Sequence, residues 1–208
     1  MKILIADDHS VVRKGLILIL AEAYPHAQIE EVGDAVDLLK KLSKDTWTVV
    51  ITDISMPGRS GIEIIKEIKE MQPKTPVLVL SVHAAEEYAV RAIKAGAAGY
   101  LTKESAPEEL VKAVECLLRG KRYLTPEIAE LLADSYGDNF DKAPHENLSN
   151  REFEVMKLLA AGNSISEMAE SLSLSVNTIS TYRARILEKM HMHTNTDLIK
   201  YAIHHNLV

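Results

Sequence analysis

Residues 49–53, Val49-Val50-Ile51-Thr52-Asp53, are the stretch that decides the fold, because a short β-branched run ending on a polar residue is typical of a buried parallel strand. Three more runs end in the same way: Ile3–Ala6 before Asp7-Asp8, Val77–Leu80 before Ser81, and Ala98–Thr102 before Lys103. In an open parallel sheet, ligands bind beyond the carboxyl ends of the strands. We therefore expect these carboxylate, hydroxyl and ammonium groups to converge on one small site.

The expected site has a definite chemistry. Three carboxylates packed together repel one another, so they need a bound cation or perturbed pKa values. An oxygen-rich pocket of this kind suits Mg²⁺, which keeps several waters and binds few carboxylates. A carboxylate nucleophile beside Mg²⁺ and a lysine is suited to accept a phosphoryl group.

Strand-like and helix-like segments alternate along the first 120 residues. Strands are predicted at about 3–6, 28–32, 49–53, 77–82 and 99–102. Helices are predicted at about 10–22, 35–43, 60–71, 86–95 and 107–119. Pro57-Gly58 and Gly61 predict a loop directly after the third strand. Five strands alternating with five helices indicate an α/β fold with a doubly wound parallel sheet.

The pattern becomes entirely helical towards the end of the chain. Ser149-x-x-Glu152 and Ser164-x-x-Glu167 match the capping-box pattern, Ser175 is placed to cap a longer helix, and Thr194 or Asn195 caps the last one. A short helix, a tight turn and a longer helix indicate a helix-turn-helix. Between the two regions, Thr125-Pro126 begins a short helix and residues 135–144 are polar and rich in breakers. We therefore expect domains at 1–120 and 147–208, joined by a linker at 121–146.

Bulk composition sets limits on the class of protein. The 208 residues carry a formal net charge of −6, and residues 147–208 have equal numbers of basic and acidic residues. This is not the basic balance of a non-specific nucleic-acid binder, so any DNA contact must come from a local patch. The chain has one cysteine, no apolar run of membrane-spanning length and no signal-peptide pattern. We expect a cytoplasmic protein without a membrane partner.

These motifs resemble those of a known family along nearly the whole chain. Residues 1–120 resemble a two-component receiver domain, which implies a flavodoxin-like (βα)5 fold. Residues 147–208 resemble a four-helix LuxR-type helix-turn-helix domain. The order of the two domains resembles the NarL/FixJ class of response regulators. The residues that carry the resemblance are Asp7-Asp8, Asp53 to Gly58, Ser81, Tyr100, Lys103, Leu148 to Glu152, Gly162 to Ala169, Ser175 to Ile179, and Arg183 to Met190.

The resemblance implies a role for each residue of the pocket. Asp53 resembles the phosphoacceptor, and Lys103 resembles the lysine that pairs with the phosphoryl oxygens. Asp8 resembles a direct Mg²⁺ ligand together with Asp53, and Asp7 resembles an outer-shell ligand that acts through water. Ser55 would offer its backbone carbonyl to the metal.

Two further residues resemble a conformational switch. The hydroxyl of Ser81 would be drawn towards the phosphoryl group, and the ring of Tyr100 would turn inwards to fill the vacated space. The donor would be a sensor histidine kinase, and the output would be DNA binding rather than enzymatic turnover. Glu104 follows Lys103 where many receivers outside this class have proline, so the isomer of that peptide bond is left open.

The predicted recognition helix, about 176–190, carries the candidate contacts to double-stranded DNA. We expect Asn177 and Thr181 to read base edges, and Arg183, Arg185 and Lys189 to reach phosphates. The full candidate set is Asn177, Thr178, Ser180, Thr181, Tyr182, Arg183, Ala184, Arg185 and Lys189. Three residues depart from what is common in the family: Ser180 instead of lysine or arginine, Tyr182 instead of histidine, and Asn195 instead of arginine.

The final helix suggests how the chain assembles. Its apolar residues Leu198, Ile199, Ala202 and Ile203 are numerous enough for both a core and a partner. We expect a homodimer on phosphorylation, bound to two-fold symmetric DNA sites and acting on RNA polymerase. The receiver surface is either that of the first and fifth helices or the fourth-helix side.

Two alternatives remain at this point. The chain could bind DNA without phosphorylation, in which case a phosphodonor would not change its affinity. It could also be a phosphatase that uses an aspartyl-phosphate. Such enzymes carry a second carboxylate two residues after the nucleophile, and Ser55 occupies that position here.

Overall fold

The structure is a computed structural model that describes residues 1–56, 61–82, 85–137, 144–205 and 207–208. The chain divides into two compact units, Met1–Tyr136 and Gly137–Val208. Two of the segments predicted to be loops fall outside the described residues: Pro57-Gly58, and the central part of the linker at 138–143. Of the helices within the described ranges, none is both long enough and apolar enough to cross a bilayer.

The first unit contains a five-stranded parallel sheet. The strands are β1 (Lys2–Ala6), β2 (Gln28–Val32), β3 (Val49–Asp53), β4 (Val77–Ser81) and β5 (Gly99–Thr102). Their spatial order is β2-β1-β3-β4-β5, which is the flavodoxin-like order. The predicted α/β fold is therefore confirmed, and the predicted strand positions agree to within one residue at each end.

Five helices connect and cover these strands. They are α1 (Ser10–Ala23), α2 (Ala35–Lys44), α3 (Gly61–Met71), α4 (Ala85–Lys94) and α5 (Ala106–Leu118). β3 and β4 are buried at every position, as expected for central strands with helices on both faces. α1 and α5 pack together over one face of the sheet, where Ile5, Leu20, Ile51, Leu110 and Val114 share one core.

The first unit continues past α5 into the segment predicted to be a linker. The backbone N–H of Tyr123 donates to the carbonyl of Ala98 at 2.8 Å, and Tyr123 forms an isolated parallel bridge with Gly99. A Cβ at Gly99 would lie 3.0 Å from the carbonyl oxygen of Tyr123, so the close approach favours glycine there. α6 (Pro126–Gly137) follows, with Thr125 accepting a hydrogen bond from the Ile128 N–H. Most of the predicted linker helix therefore lies within the first compact unit.

The second unit is all-helical. After a 3₁₀ turn (Pro144–Asn147) come α7 (Asn150–Ala160), α8 (Ile165–Ser171), α9 (Val176–Lys189) and α10 (Asn195–His204). The capping boxes predicted at Ser149 and Ser164 are both present, and Ser175 caps α9. Of the two candidate caps for α10, Thr194 is the one used, and Asn195 is the first helical residue. The predicted helix-turn-helix, α8 followed by α9, is confirmed.

Candidate functional site

The carboxyl ends of four adjacent strands bring the predicted pocket residues together. Asp7 follows β1, Asp53 ends β3, Ser81 ends β4 and Lys103 follows β5. Asp7, Asp53 and Ser81 are at most 1% exposed, and such burial is unusual for the two carboxylates unless they are paired. The sheet therefore holds two carboxylates out of water at one edge, and something must compensate their charge.

Lys103 compensates part of this charge. Its Nζ lies 2.6 Å from Asp53 Oδ2 and 2.7 Å from Asp7 Oδ2, and its side chain is only 11% exposed. Burial acts to lower the pKa of Lys103, but hydrogen bonds and charge from Asp53 and Asp7 outweigh that effect and hold the pKa above its ordinary value. Lys103 is therefore a fixed ammonium shared by the two carboxylates.

Asp53 remains short of positive charge in spite of this contact. Burial raises the pKa of Asp53, while hydrogen bonds from Lys103 and from the Ser55 backbone N–H act against it. The Ser55 N–H donates to Asp53 Oδ1 at 2.9 Å, which leaves both oxygens of the carboxylate engaged. A divalent cation near this carboxylate would supply the positive charge that the pocket lacks.

The chain directly before α1 completes an acidic cluster. One ligand atom from each of Asp7, Asp8, His9 and Asp53 lies within 4.8 Å of the others. Asp8 has a side chain that is 29% exposed, and its Oδ1 lies 2.7 Å from His9 Nδ1. Because the donors are mainly carboxylate oxygens and one side of the cluster is open to water, the set fits Mg²⁺. Asp7, Asp8 and Asp53 are the carboxylates of the cluster that could hold the ion.

Two residues outside the predicted set, Arg13 and His9, help to hold this loop. Arg13 Nη1 donates to the backbone carbonyl of Asp7 at 2.6 Å, and its Nε donates to Glu31 Oε2 at 2.6 Å. The backbone N–H of His9 donates to Asp7 Oδ1 at 2.7 Å. The position of His9 directly after Asp7-Asp8 is the one sequence feature that could have pointed to it. No local sequence pattern points to Arg13.

The loop after β3 is held from the other side by Gly61. A Cβ at Gly61 would overlap the backbone of Ile54, the residue that follows Asp53. α3 therefore begins against the backbone of Ile54, the residue next to the candidate phosphoacceptor Asp53. Only glycine permits so close an approach.

The two predicted switch residues lie on neighbouring strands. Val79 pairs with Tyr100 and Ser81 pairs with Thr102, so Ser81 and Tyr100 are two register positions apart. Both are completely buried, and Tyr100 is among the largest fully buried side chains. The structure thus puts the tyrosine ring inside the unit, on the strand that leads to Lys103. The peptide bond between Lys103 and Glu104 is trans, since none of the described residues has a cis bond.

In the second unit, α9 presents a polar face to solvent. Six of the nine candidate DNA residues are exposed: Asn177, Ser180, Thr181, Ala184, Arg185 and Lys189. The other three, Thr178, Tyr182 and Arg183, are half-buried. Thr178 is part of the helix cap, because its backbone N–H and its hydroxyl both contact the Ser175 hydroxyl, at 3.1 and 2.7 Å.

Two of the three predicted phosphate-binding cations have partners within the unit. Lys189 Nζ lies 2.6 Å from Oε2 of Glu152, whose side chain is 3% exposed, and Arg183 Nε donates to Asn195 Oδ1 at 2.6 Å. Burial acts to raise the pKa of Glu152, but the hydrogen bonds from Lys189 and Ser149 outweigh it and lower the pKa. Arg185 is exposed and makes no ion pair with the described part of the chain.

The four apolar residues of α10 divide into two groups. Leu198 and Ala202 are completely buried, so they belong to the core of the unit and are not available to a partner. Ile199 is half-buried and Ile203 is 61% exposed. Any partner surface on α10 is therefore narrower than the sequence suggests and is centred on Ile203.

Each of the two units matches the model of a known protein family. Residues 3–115 match the family model of the response regulator receiver domain, and residues 146–202 match that of the bacterial regulatory proteins of the luxR family. The response regulator GacA of Pseudomonas aeruginosa is 33% identical over 209 residues, covering 100% of this chain and 98% of GacA.

Solved structures agree with these matches. RcsB from Salmonella enterica serovar Typhimurium, bound to promoter rprA in the presence of the phosphomimetic BeF3⁻, is 30% identical with a TM-score of 0.65, covering 97% of this chain and 98% of that one. A structure of two RcsB dimers bound to two parallel DNAs is 30% identical with a TM-score of 0.59, covering 97% and 96%.

Proposed function

Because this chain belongs to the response regulators of the NarL/FixJ class, which join a receiver domain to a LuxR-type DNA-binding domain, we propose that phosphorylation of Asp53 controls its binding to DNA. The observation that carries the proposal is the position of Lys103 Nζ, 2.6 Å from Asp53 and 2.7 Å from Asp7, beside the open carboxylate of Asp8. A sensor histidine kinase is the partner that supplies the phosphoryl group.

The residues of the pocket divide the chemical work. An oxygen of Asp53 forms a bond to phosphorus while the bond from phosphorus to the donor nitrogen breaks in line with it. Lys103 keeps its ammonium at the transferring oxygens and stabilises their charge. When bound, Mg²⁺ neutralises charge on those same oxygens. Ser81 and Tyr100 sense the new group, and the later loss of phosphate resets the signal rather than serving as an enzymatic output.

Addition of Mg²⁺ should stabilise the first unit against heat. At a hundred times its dissociation constant, an ion that binds only the folded state adds about 2.7 kcal/mol. Trp47 is the only tryptophan, and it is buried in this unit at 2% exposure, so its fluorescence follows the unfolding of the receiver alone. The stabilisation should be strongly reduced in Asp8→Asn and unchanged in Asp37→Asn, which makes the same substitution at an exposed position of α2. An equal gain in Asp8→Asn and in the native protein would refute Asp8 as a ligand.

DNA binding is assigned to the exposed face of α9, which would lie in the major groove. Of the three basic residues of the helix, Arg185 is the one left for phosphates, because Lys189 and Arg183 are held by Glu152 and Asn195. Thr181 remains a candidate for base contact. DNA is a cytoplasmic ligand, so we place the protein in the cytoplasm.

Arg185→Ala should weaken DNA binding by a similar factor on all sequences. Loss of one phosphate contact should lower the slope of log affinity against log salt by roughly 1. Titration of labelled duplexes at several salt concentrations measures both quantities. Arg122→Ala, the same change at an exposed position of the first unit, is the control and should leave the slope unaltered. A change confined to one DNA sequence would show that Arg185 reads bases instead.

Phosphorylation is proposed to act through a homodimer. On α1, Val11 and Leu18 are 80% and 72% exposed, and their seven-residue spacing puts them on one side of the helix. We therefore favour the α1–α5 surface over the α4 side for the receiver contact, and Ile203 for the contact between the DNA-binding units. RNA polymerase is the expected target of the bound dimer.

A further inference from the structure

The first two turns of α9 expose an apolar residue that has no place in the core. Val176, the first residue of the helix, is 49% exposed. Ser180 and Ala184 follow at four-residue intervals and are also exposed, so the three form one stripe along the helix. We name Val176, Ser180 and Ala184 the small stripe. Its side chains carry no charge, and two of the three end in methyl groups.

The residues beside the small stripe add one amide and one further methyl group. Asn177 and Thr181 are both exposed. The hydroxyl of Thr181 donates to the backbone carbonyl of Asn177 at 2.9 Å, so its hydrogen is already used inside the helix. What Thr181 offers to a ligand is therefore its methyl group and a hydroxyl oxygen that accepts. Asn177 supplies the side-chain amide of this region.

The cations that read guanine are missing from these turns. Recognition of guanine in the major groove uses arginine or lysine against its O6 and N7 atoms, whereas thymine presents a C5-methyl group and adenine pairs with asparagine. Between Val176 and Tyr182 the helix has no arginine or lysine. Further along, Arg183 and Lys189 are held by Asn195 and Glu152. Arg185 lies beyond the second turn, away from the N-terminal residues that contact base edges in helix-turn-helix proteins.

From this arrangement we propose that α9 reads A·T base pairs, with Val176 in apolar contact with a thymine C5-methyl group and Asn177 on a neighbouring adenine. The inference rests on the proposed function, in which α9 enters the major groove. It adds the class of base that the helix selects and the residue that selects it. Val176 was not among the DNA-binding candidates from the sequence, because an isolated surface valine is unremarkable until its neighbours on the helix are known.

The test begins with the full-length protein treated with beryllofluoride and a pool of random duplexes. The enriched half-site should have A·T pairs at its central positions. Each thymine of the enriched duplex is then replaced in turn by deoxyuridine, which lacks only the C5-methyl group. At one thymine of each half-site, affinity should fall on the order of 3- to 5-fold, the effect expected for one buried methyl group.

The variant Val176→Ala assigns that effect to its residue. In Val176→Ala the deoxyuridine penalty at that thymine should shrink towards 1-fold, while the salt dependence of binding stays as in the native protein. Val36→Ala is the matched control, because Val36 is 54% exposed on α2 in the other unit and should leave the penalty intact.

Three results would count against the inference or its premise. Half-sites with central G·C pairs and no sensitivity to deoxyuridine would overturn it. An undiminished penalty in Val176→Ala would overturn the assignment to Val176. If no duplex is retained at all, the proposed DNA binding itself fails, and the inference fails with it.

Discussion

The Asp53→Asn variant should take up no phosphoryl group from acetyl phosphate and Mg²⁺, whereas the native protein should take up one. An amide is a poor nucleophile. The substitution also removes the charged carboxylate oxygen that lies 2.6 Å from Lys103 Nζ. Intact-mass measurement after treatment gives the result directly. Asp37→Asn is the matched control, since it makes the same change at an exposed site and should react as the native protein does.

Misfolding of Asp53→Asn would not account for its loss of phosphoryl uptake. Burial raises the pKa of Asp53, so its charged form costs stability at pH values above that raised pKa, and the cost vanishes as the pH falls below the ordinary value. A neutral amide avoids this cost of burying a charge. The unfolding midpoint from Trp47 fluorescence should therefore be no lower in Asp53→Asn than in the native protein. Normal phosphoryl uptake by a folded Asp53→Asn would refute the assignment.

Beryllofluoride should convert the native protein from monomer to dimer and raise its affinity for a two-half-site duplex by roughly 10²-fold or more. A single helix-turn-helix module buries only about 600–1,000 Å² on DNA, so one unit alone binds weakly. Linking two units makes the second contact intramolecular. Sedimentation measures the assembly, and titration of duplexes with one or two half-sites measures the gain in affinity.

Two variants separate the contributions to this gain. Asp53→Asn should show neither the dimer nor the gain. Ile203→Ser should lose part of the gain on two half-sites but keep its affinity for one, because Ile203 is 61% exposed and its replacement opens no cavity. Val208→Ser, at a position 52% exposed in the same unit, is the control. A chain that stays monomeric with beryllofluoride and binds one copy per site would contradict the mechanism. Equal DNA affinity with and without the mimic would favour phosphorylation-independent binding.

The sequence alone determined the architecture and the chemistry of the strand ends. The runs at β1, β3, β4 and β5 are local patterns, and so are the caps at Ser149, Ser164 and Ser175. A parallel sheet then brings its carboxyl ends to one edge whatever the details of packing. For this reason the sequence alone was enough to place Asp7, Asp53, Ser81 and Lys103 at a common edge, while their roles remain predictions.

Only the tertiary structure decided which of these groups touch and which cations are already engaged. Lys103 contacts Asp53 across 50 residues of chain, and Lys189 contacts Glu152 across 37. Tyr123 ties the start of the predicted linker to β5, and Leu198 and Ala202 are buried where the sequence allowed either a core or a partner. The physical reason is that periodicity and capping depend on neighbours within a few residues. Ion pairs and burial depend on distant segments, whose approach is fixed only when the whole unit packs.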